Sequence, residues 1–249
     1  MTFEIQDRLR GALLGLALSD AMYTEKCSYL SDLVESSSSL KLAESLAKNL
    51  YENEIYDRNS ILEGYKKVYL ESDGPPGLDI LKKDFEEDFE KKFELKFEEI
   101  FEDHPVKSPH ERTGIFHRVT MLLGSKNLDD LIQETWLFDP YIETFEDVYL
   151  YFTVLRILVK YGKDSLMSIL NIDESTKIRK IINETLHLDL ELRYISHLDR
   201  EEFCVFGTIY GAMKGYSALM NDRVNFFNSR FLETRILDEE FISFVSSRI

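Results

Sequence analysis

The apolar positions of this 249-residue chain recur at helical rather than strand spacing. Few segments alternate apolar and polar residues with the period of two that marks a half-buried strand, and only five prolines interrupt the pattern. Residues 7–22 predict a first helix. Residues 40–52 predict a second, with Leu42, Leu46 and Leu50 four apart on one face and Ala43 beside them. Ser36, Ser37, Ser38 and Ser39 precede it, where a hydroxyl can accept a bond from an orphan N–H of the first turn. A helix over 59–71 follows, and Asp73-Gly74-Pro75-Pro76-Gly77 then breaks the pattern as a loop. Beyond a second loop at 105–113, helices are predicted over 114–124, 127–135, 141–161, 163–170, 173–186 and 201–220. The tail from 225 to 249 adds one or two short ones. No internal repeat and no linker divides the chain, so the pattern predicts one all-α domain spanning 1–249.

Two stretches depart from ordinary amphipathic spacing. In 81–103, Phe85, Phe89, Phe93, Phe97 and Phe101 recur every fourth residue among Glu, Asp and Lys. Four residues turn a helix by about 400°, so the row drifts by about 40° per step and covers a broad face. The expectation is a long amphipathic helix packed on the domain body. The sharper alternative is a docking surface for a protein partner, because a row of exposed aromatics is otherwise a liability. The second stretch carries Gly207, Gly211 and Gly215 at spacing four, echoed by Gly11 and Gly15. Glycines so spaced share a face and let another backbone approach closely, which predicts tight packing of small-residue helices at the centre of the bundle.

Composition narrows the classes. Hydrophobic residues make up 44% of the chain, enough for a large core. No apolar run approaches the ~20 residues a membrane span needs, and the apolar run from Ala12 to Leu18 is short and holds a glycine. No secretory signal is evident. Cys27 and Cys204 are the two cysteines, too few for a metal site by themselves. In a chain of this length they point to a reducing, intracellular and cytoplasmic setting rather than a disulfide framework. The formal charge of −16 opposes a phosphate backbone and disfavours general nucleic-acid binding. A basic protein surface suits it better as a partner, although solubility alone accounts for such a charge.

The opening run Asp7-Arg8-Leu9-Arg10-Gly11-Ala12-Leu13-Leu14-Gly15-Leu16-Ala17-Leu18-Ser19-Asp20-Ala21 closely resembles the first helix of the ADP-ribosylglycohydrolase family, which usually reads D-R-I-R-G-A-L-L-G-L-A-x-G-D-A. Thr113-Gly114-Ile115-Phe116-His117-Arg118-Val119-Thr120-Met121-Leu122 is similar to the family segment N-G-x-x-M-R-x-x-P-L, matching at Gly114, Arg118 and Leu122. Gly207-Thr208-Ile209-Tyr210-Gly211-Ala212-Met213-Lys214-Gly215 resembles its late helix G-A-I-A-G-A-L-x-G. Gly74 and Gly77 lie where the family has a glycine-rich substrate loop. The resemblance implies an orthogonal multi-helix domain of the ADP-ribosylglycohydrolase type. It also implies a reaction in which two divalent ions, usually magnesium, position ribose hydroxyls and activate water to cleave an ADP-ribosyl bond.

The acids that reaction needs are depleted here. The family supplies them as T-D-D-T and as D-x-D-[ST]. In one register Ser36 to Ser39 align with the first cluster, so Ser37 and Ser38 replace both aspartates. In another, Val34 and Glu35 stand at the pair and Ser36 at the last threonine. Either leaves at most one carboxylate. Counting back from Gly211, the second cluster falls on Glu202-Phe203-Cys204-Val205. Glu202 keeps an acid, while Cys204 and Val205 lose the second aspartate and the hydroxyl. Serine is a weak ligand for magnesium, and a thiol is soft where a hard donor is needed. The usual T-H pair is absent near Phe138-Asp139-Pro140. Asp20, Glu202 and Glu35 are the acids left for the old cleft, with Arg118 able to face a phosphate. Each also has a plain structural alternative: Asp20 as a helix-end carboxylate, Glu202 as an acid favoured by a helix dipole, Arg118 as a partner for a surface acid.

No replacement chemistry is legible. Cys204 has no activating pattern. His187 and His197 lack zinc spacing, and His110 and His117 lie seven apart, a helical spacing that Pro109 just before them and Gly114 between them disfavour. There is no phosphate-binding loop and no dinucleotide fingerprint. The expectation is an ADP-ribosylglycohydrolase-like protein that has lost its magnesium, has no catalytic residues or cofactor, and acts by binding a protein. A divergent active hydrolase built on Asp20, Glu202 and Glu35, and an ADP-ribose or nucleotide-binding module, are the alternatives.

Overall fold

The computed structural model describes residues 2–24, 38–53, 56–71, 123–124, 130–132, 142–167, 172–187, 198–221 and 239–249. Among the described residues every regular element is helical. They are α1 (Thr2–Thr24), α2 (Ser38–Asn53), α3 (Arg58–Glu71), α4 (Ile142–Tyr161), α5 (Lys163–Met167), α6 (Lys177–His187), α7 (Arg200–Lys214), α8 (Tyr216–Asn221) and α9 (Glu239–Arg248). The all-α expectation therefore holds for these residues.

The hub is α1. Residues 11 to 17 are buried without interruption, so this helix is enclosed on all sides rather than seated on one face. It packs on α7, α8, α9, α4 and α2. Small residues make this possible. A Cβ on Gly11 would lie 2.8 Å from the Gly215 carbonyl carbon, and one on Gly211 would lie 2.8 Å from that of Gly11. Gly15 and Gly207 oppose each other in the same way. The predicted glycine faces thus meet backbone to backbone at the α1–α7 crossing. Around it the core runs through Leu9, Leu13, Leu46, Ile61, Tyr65, Val148, Leu155, Ile182, Val205, Ile209 and Ile242 in one continuous cluster.

α2 spans the predicted 40–52 but begins at Ser38, so Ser38 and Ser39 belong to the helix instead of preceding it. Leu46 and Leu50 are buried as their spacing predicts. α3 and α4 match their expected ranges within a residue.

Two expectations are corrected. Residues 173–176 are not helical, and α6 begins four residues later than predicted. There the Asp173 carboxylate accepts the Ser175 N–H at 3.1 Å, folding the chain into a turn, and Thr176 caps the helix by accepting the Arg179 N–H at 3.3 Å. Nor is 201–220 one helix. It breaks at Gly215, whose φ of 78° lies in the left-handed region that favours glycine. The Gly215 N–H still bonds to Gly211 O at 2.9 Å, closing α7 before α8 starts.

The loop 73–77 and the phenylalanine segment 81–103 fall outside the described residues, as do nearly all of 105–135 and the links at 25–37 and 222–238. No helix among the described residues is long and apolar enough to cross a membrane.

Candidate functional site

The charged residues of the Asp7-Arg8-Leu9-Arg10-Gly11 run act on helix ends. α8 has no capping side chain of its own, because Gly215 precedes it. Asp7 fills that role from α1: its Oδ1 accepts the Ser217 N–H at 2.9 Å and the Ser217 hydroxyl at 2.6 Å. A Cβ on Gly215 would overlap the other Asp7 oxygen, so both the dihedral and the cap require glycine. Arg8 serves the opposite polarity. Its Nε donates to Val159 O at 2.8 Å and a terminal nitrogen donates to Lys160 O at 3.2 Å, satisfying carbonyls left orphaned at the end of α4. Gly162, with φ 84°, turns the chain just beyond. Arg10 pairs with Glu239 at the start of α9. Gly11 completes the set by admitting the backbone of α7.

The second candidate acid cluster lies at the start of α7. Asp199 is the N-cap, and its Oδ1 accepts the Glu202 N–H at 2.9 Å. Glu202 Oε2 accepts the Asp199 N–H at 2.8 Å in return. This reciprocal capping box satisfies two donors at the helix start. The other Glu202 oxygen lies 3.7 Å from Lys177 Nζ on α6. That lysine side chain is 77% exposed while the Glu202 side chain is 9% exposed, so solvent weakens the pair. Cys204 and Val205 are both fully buried in the core. The spacing Asp199-x-x-Glu202 is a readable capping-box signal that the sequence analysis did not use.

A polar cluster with no local sequence signal joins α4 to α6. Asp147 on α4 is 1% exposed. Its Oδ1 accepts Arg179 Nε at 2.9 Å and the Thr176 hydroxyl at 3.1 Å. Arg179 also donates to Asp173 at 2.7 Å and to Glu146 at 3.3 Å. The hydrogen bond with Asp147 is the main reason the Arg179 pKa is raised, against the opposing effect of burial. Bonds from the Ser175 hydroxyl and N–H, with Arg179 beside them, lower the Asp173 pKa below the ordinary carboxylate range. A guanidinium shared among three carboxylates locks two helices together.

Asp20 lies within α1, and Ser38 and Ser39 open α2. Glu35, Ser36, Ser37, Gly74, Gly77, Gly114, Arg118 and Asp139, together with Phe85, Phe89, Phe93, Phe97 and Phe101, lie outside the described residues. His187 is exposed, with Nδ1 2.9 Å from Asn183 O. Among the described residues no three His, Cys, Asp or Glu side chains are grouped so that they could hold a metal ion. A scan against protein-family models and a search of curated proteins found no match to this chain.

Proposed function

We propose that this chain is an ADP-ribosylglycohydrolase-like protein that works by binding a protein partner, without the hydrolytic reaction. One observation carries the reading: at the positions aligned with the second acid cluster, Glu202 is engaged in a capping box while Cys204 and Val205 are buried core side chains. A pair of magnesium ions needs several anionic oxygens around one open pocket. Glu202 offers one carboxylate, with one oxygen already accepting a backbone N–H and the other facing an ammonium. Among the described residues aligned with the second cluster this single acid does not supply a dinuclear site, so no catalytic step is assigned to it. The net charge of −16 favours a partner with a basic surface, and the phenylalanine row at 85–101 is the proposed contact.

The test is incubation of the purified protein with an ADP-ribosylated protein and magnesium, followed by assay for free ADP-ribose. The expected result is release at the rate of the protein-free control. Magnesium-dependent release above that control would overturn the proposal in favour of an active hydrolase.

A further inference from the structure

We draw no further inference here: the strongest candidate, the stacked and partly exposed Phe145–Tyr149 ring pair on α4, carries nothing because no feature of the described residues shows what covers it.

Discussion

Asp7 caps α8 through Ser217, 210 residues later in the chain, accepting both its N–H and its hydroxyl. The relationship fixes the start of α8 and makes the break at Gly215 part of the packing of α1. Replacing Asp7 with Ala removes the acceptor of both bonds. N-cap losses cost about 0.5–2 kcal/mol, and a similar decrease is expected for Asp7→Ala in urea unfolding. Asp7→Asn keeps an acceptor oxygen and should lose less. Equal losses for both variants would mean that the charge, not the cap, is what matters there.

The α1–α7 crossing predicts a sharp contrast between two glycine substitutions. In Gly211→Ala the new methyl meets the backbone of Gly11 and Gly15, neither of which can swing aside. Overpacking of this kind costs about 1–3 kcal/mol and sometimes more. In Gly64→Ala the methyl meets, among the described residues, only the Ser45 side chain. That hydroxyl can rotate away, and alanine favours the helix by about 1 kcal/mol over glycine. Thermal unfolding should therefore show a clear drop for Gly211→Ala and little or no drop for Gly64→Ala.

Asp147 is almost fully buried, and its removal leaves Arg179 without its main partner. Breaking a buried pair costs about 3–5 kcal/mol. Asp147→Ala should fall somewhat below that, at about 2–3 kcal/mol, because Arg179 keeps Asp173 and Glu146. In a double-mutant cycle with Arg179→Met, read by urea unfolding, the double variant should lose less stability than the sum of the two single variants. Simple additivity would count against the lock between α4 and α6.

Asp173 supplies a pH dependence of definite sign. Its folded pKa is depressed, chiefly by the Ser175 hydrogen bonds. A depressed carboxylate contributes stability that is present above its unfolded pKa and is lost as pH falls through the folded value. The loss therefore begins below about pH 4. Asp173→Asn should flatten this acid limb by lowering stability near neutral pH while changing it little below the folded pKa, and the drop should be small because the side chain lies on the surface. An unchanged acid limb in urea midpoints measured from pH 5 to pH 3 would remove Asp173 from the explanation.

The elements that the sequence made legible are those whose signals are local. The fourfold spacing of Leu46 and Leu50 and the apolar run of 141–161 announce α2 and α4 directly. The paired glycine rows announced a close crossing, and they meet at one. The break at Gly215 was hidden because its spacing reads as a third member of the same row, while its cause, the Asp7 carboxylate, is far away in sequence. The late start of α6 reflects turn chemistry at Asp173 and Thr176 overriding residues that a helix also tolerates. The Asp147–Arg179 lock joins side chains 32 positions apart and leaves no periodic trace. For the candidate site, Glu202 was found by alignment with a motif and also placed near a helix start, but its Asp199 partner was missed. The remaining candidate positions rest on resemblance alone.

Magnesium titration of the protein and of Glu202→Ala, each followed by thermal unfolding, tests most directly whether the start of α7 is a helix cap or a metal site. An ion bound only to the folded state raises the unfolding temperature with concentration. The account predicts that Glu202→Ala lowers the unfolding temperature at every magnesium concentration and that neither protein responds to the ion. A rise in the unmodified protein that disappears in Glu202→Ala would contradict it.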